Sequence, residues 1–133
     1  MPKIIEHNYK EWFKKANEDE LSAESILKEK SVPSAVCFLS QQMVEKYLKG
    51  LLVLNHKKFF KVHDLLQIES LLLEVEPEIK NYEKELDLLN RYYVETRYPG
   101  DFPEFFWDEA EKAFEAAKKI KEFVIQRMYA SMV

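Results

Sequence analysis

The sequence predicts an all-α fold, an antiparallel up-and-down four-helix bundle with an extra short helix. Three observations point there. Apolar residues recur at steps of three and four from one end of the chain to the other. Nothing reads as a pair of alternating strands, and the whole chain contains only two glycines. Breaks are short and carry proline, glycine or asparagine, the residues that stop helices. The 133 residues suit a single domain, 1–133, able to bury one core.

The first helix is expected from Asn8 to Lys30, with Tyr9, Trp12 or Phe13, Ala16, Ala23, Ile26 and Leu27 on its inner line. The stretch SVPSA interrupts it, and Ser31 or Ser34 is a candidate cap for the next helix. That second helix is expected from Pro33 to Asn55. Val36, Leu39, Met43, Val44, Tyr47, Leu51 and Leu54 give it the broad apolar face of a central helix. Gln42, Glu45 and Lys49 share one narrow stripe on its other side, spaced so that their side chains can touch.

After the loop NHKKFFKV, Asp64 is the expected N-cap of a short helix with Leu65, Ile68, Leu72 and Val75 on its apolar line. Pro77 ends it and opens a fourth helix. Ile79, Tyr82, Leu86, Leu89 and Tyr93 form a bundle seam that should run to about Thr96, because Tyr98 precedes a proline and disfavours helix. The last helix should start near Asp108, with Asp108 and Glu111 as a capping box. Its inner face is Ala110, Ala113, Phe114, Ala117, Ile120 and Val124, small enough for close approach to a neighbour.

Composition narrows the function. Charged residues make up 33% and hydrophobic residues 47%, a globular balance. The net charge of −4 argues against a general nucleic-acid surface, which needs a basic stripe. One cysteine, Cys37, excludes a disulfide framework within the chain. With no apolar run of membrane length and no leader-like start, a cytoplasmic protein is expected. There is no phosphate-cradling glycine loop and no cysteine pair or H-E-x-x-H, so no metal or cofactor is expected. His56, His63 and Asp64 suggest an HD-type metal phosphohydrolase, but the further upstream His and downstream Asp of that pattern are not in place.

The blocks FLSQQMVEKYLKGLLV, HDL and RYPG, in that order and on these helices, resemble the HEPN family, named for a nucleotide-binding domain of higher eukaryotes and prokaryotes. The resemblance runs from about Tyr9 to Phe123. It implies a compact helical bundle, often a homodimer, that serves as the nucleotide- or substrate-binding partner of a separate minimal nucleotidyltransferase or as the toxin half of a toxin–antitoxin pair. Toxin members are commonly metal-independent RNases that use an Arg followed four to six residues later by His. Here the arginines are Arg91, Arg97 and Arg127, and His7, His56 and His63 all precede them. That motif cannot form, which argues against the family's RNase mechanism and against an enzyme; no catalytic residue is assigned.

A candidate ligand set remains: Gln42, Glu45, Lys49, His63, Asp64, Arg97 and Tyr98. It reads either as a polar pocket, with Arg97 clamping a phosphate or carboxylate, or as a semi-buried structural network. The aromatic corner Phe102, Phe105, Phe106 and Trp107 either closes the bundle end or faces a second subunit. The leading expectation is a non-catalytic binding subunit. Its competitors are a toxin-like RNase with a non-standard site and a purely structural interaction bundle.

Overall fold

A computed structural model describes residues 8–93 and 104–132. Its elements are α1 (Tyr9–Glu29), α2 (Pro33–Leu54), α3 (Leu65–Leu72), a 3₁₀ segment (Pro77–Tyr82), α4 (Glu83–Asn90) and α5 (Trp107–Ala130). No strand occurs among the described residues. The all-helical bundle with an extra short helix is thus the fold, and α2 is its central helix. It packs against α1, α3, α4 and α5.

The helix ends follow local chemistry. The Asn8 side chain accepts from the Glu11 amide, and α1 closes on Lys30 in the left-handed conformation. Asp64 caps α3 by accepting from the amides of Leu66 and Gln67. Two expected caps do not form. The N-cap of α2 is Val32, with Pro33 next, and Ser34 Oγ instead accepts from the Phe105 amide at 3.3 Å. The N-cap of α5 is Phe106, so Asp108 and Glu111 make no capping box. Asp108 still lies in the first turn, where a carboxylate favours the positive end of the helix dipole.

The fourth helix is also corrected. In place of one helix from Pro77 to Thr96, a six-residue 3₁₀ segment leads into an eight-residue α-helix that ends at Asn90. A turn follows, with the Tyr92 amide donating to the Leu89 carbonyl. The expected extension through Tyr93 therefore fails; residues 94–96 lie outside the described residues.

Small residues set the interhelical spacing. Ala16 and Ala23 of α1 and Ala110, Ala113 and Ala117 of α5 are fully buried. At Gly50, a Cβ would come within 2.5 Å of the Phe13 ring, so α1 and α2 meet there only because a hydrogen replaces a methyl. Buried polar groups stitch the helices together. The Tyr47 hydroxyl bonds Glu20, and Lys121 of α5 donates to the same carboxylate at 2.8 Å. Burial, with Glu20 adding to it, holds the Tyr47 hydroxyl well above its ordinary range. Arg127 Nε and Asn55 Nδ2 reach Glu76 at 2.7 and 3.2 Å and fasten the ends of α2 and α5 to the 3₁₀ segment. Burial, then the nearby Glu109, pushes the Cys37 thiol up to about 12, so it stays protonated and inert at neutral pH.

One buried acid is not satisfied in this way. Glu69 on α3 is buried, and its Oε2 has no hydrogen-bond partner among the described residues. Burial raises its carboxyl above the ordinary value; Glu83 pushes the same way and Lys80 opposes. A raised folded-state value stabilises the fold fully below the unfolded value, about pH 4.3, and that contribution is lost as pH rises through the folded value. Glu69→Gln, which mimics the protonated acid, is therefore expected to stabilise the protein by about 1–2 kcal/mol at pH 7 and by nearly nothing at pH 4. Urea denaturation at both pH values checks this. An equal effect at both, or a loss at pH 7, refutes it.

Candidate functional site

The expected stripe on α2 folds into a network centred on Glu45. This carboxylate is 5% exposed. Its Oε2 accepts from Lys49 Nζ at 2.8 Å, one helical turn on, and meets His63 Nδ1 at 2.9 Å. Its Oε1 accepts from Gln41 Nε2 at 3.3 Å and, at the limit of bonding distance, from Gln42 Nε2 at 3.5 Å. Gln42 also donates to Gln41 Oε1 at 2.7 Å. The Lys49 ammonium lies over the rings of Trp12 and Phe59, at 5.7 and 5.9 Å. A buried lysine with a carboxylate and two aromatic faces around it is held by the protein itself.

The consequence falls on His63. With a carboxylate at Nδ1, that nitrogen carries the proton, and the ring is fixed in one orientation. The ring also stacks on Tyr93, centroids 4.9 Å apart and planes 11° from parallel. Asp64, the next residue, turns to a different task. Its Oδ1 accepts from the Leu66 amide at 2.9 Å and from Asn90 Nδ2 at 3.0 Å. Asn90 Oδ1 in turn accepts from the Leu65 amide at 2.8 Å. Asp64 is thus a cap locked to α4.

Beside this pair lies a depression of about 460 Å³, lined by Lys61, Val62, His63, Asp64, Gln67, Asn90, Arg91 and Tyr93. Arg91 stands 3.7 Å from Glu109, in an ion pair of which the arginine is more than half exposed. The depression therefore combines two cationic side chains, an oriented imidazole, a stacked phenol, two amides and the Asp64 carboxylate, which is engaged as the helix cap. Its cationic and aromatic members suit a small anion carrying a ring. Among the described residues no group of three His, Cys, Asp or Glu is placed to hold a metal ion. No helix among them is long and apolar enough to cross a membrane.

Of the candidate ligand set, then, Gln42, Glu45, Lys49 and His63 come together, with Asp64 beside them. Arg97 and Tyr98 lie outside the described residues, as does Phe102 of the aromatic corner. Within that corner the rings divide. Phe105 packs on the core and meets Tyr92 edge to face at 4.9 Å. Trp107 lies under Lys30 at 5.2 Å, and Phe106 is 67% exposed. The Tyr92 hydroxyl donates to Glu109, closing the base of the corner.

Sequence reasoning did not select Gln41, Asn90, Arg91 or Tyr93. Gln41 had a local signal, since it sits one turn before Glu45 just as Lys49 sits one turn after. The other three reach the depression only through the packing of α4 on α3, which no local spacing encodes.

Comparison with known proteins agrees with this architecture. The family model of the HEPN domain matches residues 9–128. The crystal structure of ST0689, an archaeal HEPN homologue, superposes with a TM-score of 0.70 at 25% identity, covering 90% of this chain and 97% of the other. The crystal structure of TT1696 from Thermus thermophilus gives a TM-score of 0.72 at 28% identity, covering 89% and 96%. No curated protein is significantly similar to the chain. A family model spanning nearly all of the sequence, and two solved relatives that share its bundle along almost their whole lengths, make this protein a member of the HEPN domain family.

Proposed function

We propose that the protein is a non-catalytic nucleotide-binding subunit that works with a separate minimal nucleotidyltransferase, an arrangement that also fits one half of a toxin–antitoxin pair. The observation that carries the binding part is the depression where Lys61, His63, Arg91 and Tyr93 converge. Arg91 supplies a planar fork for a phosphate, and Lys61 adds a point charge. The phenol of Tyr93 and the imidazole of His63 offer ring surface, and the amide of Gln67 can pair with a base edge. Arg97 and Tyr98 extend the set on sequence grounds. The partner part rests on the family and on the lack of a catalytic constellation in the sequence. Homodimer formation is part of the same reading, with the exposed Phe106 ring as its contact.

In this reading Glu45 and Lys49 do not touch the ligand. They hold His63 from behind. Arg91 is the discriminating position, because it is exposed and its loss should not unfold the bundle. Arg91→Ala is expected to weaken ATP or GTP binding by about 10- to 100-fold, the worth of a charge-assisted hydrogen bond, with an unchanged melting temperature. Titration calorimetry on the chain, alone and with any nucleotidyltransferase recovered with it from its host, checks this. Unchanged affinity in the variant, or no nucleotide binding in either form, would refute the reading.

One observation favours a second reading, a purely structural interaction bundle. The Glu45 carboxylate is saturated by its own chain, as a network serving only stability would be. Absence of nucleotide binding, together with a folded and stable Arg91→Ala protein, would select it.

A further inference from the structure

We infer that Glu109 is a built-in competitor for Arg91: its carboxylate holds the guanidinium from outside the depression, and an anionic ligand must draw Arg91 away from it to bind. This rests on the nucleotide reading of the depression and names a control on that same site. Arg91 lines the depression and Glu109 does not. Their charges nonetheless meet, with Arg91 Nη1 3.7 Å from Glu109 Oε2. That separation is an ion pair, too long for a good hydrogen bond. The planar fork offered to a phosphate thus already has an anion beside it.

The two partners are held unequally. Glu109 is fixed. It lies in the first turn of α5, where the helix dipole favours a carboxylate. Its Oε2 accepts from the Tyr92 hydroxyl, and Tyr92 is itself buried and meets Phe105 edge to face. Burial, then the bond to Glu109, holds this phenol above its ordinary range, so it stays a donor at neutral pH. Arg91 is the freer partner. It sits at the C-cap of α4, and its side chain is 56% exposed against 28% for Glu109.

The contact has the form of a competitor rather than a support. A carboxylate that positions an arginine grips it with two parallel bonds and so aims the rest of the fork. Here one nitrogen faces one oxygen, and that oxygen is already bonded to Tyr92. The pair adds little order, and its attraction is given up when Arg91 turns to a ligand. An exposed pair of this kind is weak, so it lowers affinity without closing the site. The effect passes mainly through Arg91, because Glu109 is not part of the lining and salt screens it from a ligand there.

The test is titration calorimetry with ATP on the intact protein. Glu109→Gln removes the charge and keeps an acceptor for Tyr92, so the variant should stay folded. It should bind ATP about two- to fivefold more tightly at low salt, and the gain should shrink as salt is raised. In an Arg91→Ala background the same substitution should lose most of that gain, because the cation it competes for is gone. Glu109→Asp, which withdraws the carboxylate by one methylene, should give a smaller gain, and it carries the test if Glu109→Gln does not fold. Unchanged binding by Glu109→Gln overturns the inference. So does an equal gain with Arg91→Ala, which would be a field acting on the ligand directly. Weaker binding by folded Glu109→Gln overturns it too, since Glu109 would then position Arg91. If neither the unaltered protein nor any variant binds ATP, the nucleotide reading of the depression falls and the inference falls with it.

Discussion

Glu45→Ala is expected to lower the free energy of unfolding by about 3–5 kcal/mol, the cost of stranding a buried charge. For a domain of this size that is a fall in melting temperature of roughly 10–20 °C. Among the described residues the carboxylate is the acceptor for four side chains, and without it the Lys49 ammonium keeps there only two aromatic faces for company. The loss should come from desolvation left uncompensated rather than from the pair's own attraction. Removing both charges together, as Glu45→Leu with Lys49→Met, should therefore recover most of the stability. Urea denaturation of the two single variants and the double variant measures the coupling. Single losses under about 1 kcal/mol that simply add would show that water reaches the pair and that the network is incidental.

Leu48→Ala is expected to cost about 2–5 kcal/mol, the combined effect of lost burial and an unfilled cavity. Leu48 is fully buried on α2, and α2 packs against four other helices, so the walls have little room to collapse. Leu21, on α1, is 56% exposed, and Leu21→Ala should stay within about 0.5 kcal/mol. The same denaturation experiment separates them, provided the m-value does not change. A Leu48→Ala loss below about 1 kcal/mol would mean that α2 is not the centre of the core.

Much of this architecture was legible because burial imposes a period on the sequence. Although α3 ends at Leu72, short of the expected Val75 and Pro77, the limits of α1 and α2 and the starts of α3 and α5 were readable to within a residue or two, since apolar spacing and punctuation agree there. The fourth helix was not. Ile79 and Tyr82 are three apart, a step that a 3₁₀ turn satisfies as well as an α-helix does. Nothing local announced that the chain would turn after Asn90, whose side chain is taken by Asp64 and Leu65. The site divides in the same way. Glu45 and Lys49 are an i,i+4 pair, visible in the sequence. Their neighbours Gln41 and Gln42 occupy adjacent positions, and spacing alone selected only the second. Tyr93 and Arg91 come from a distant helix end, and only tertiary packing brings them to His63 and the depression.

The bond between Asn90 and the start of α3 has a consequence for how the depression comes into being. An isolated helix of eight residues does not persist in water, and α3 and α4 are each that long. The leading amides of α3 are closed partly by its own Asp64 and partly by a side chain from α4. Neither helix is complete without the other. They should open and close as one cooperative unit against the longer α1, α2 and α5, and the depression they wall exists only while that unit is closed. A ligand that gripped Lys61 and Arg91, as proposed, would span the two sides of that closure, and occupancy and local folding would then be one equilibrium.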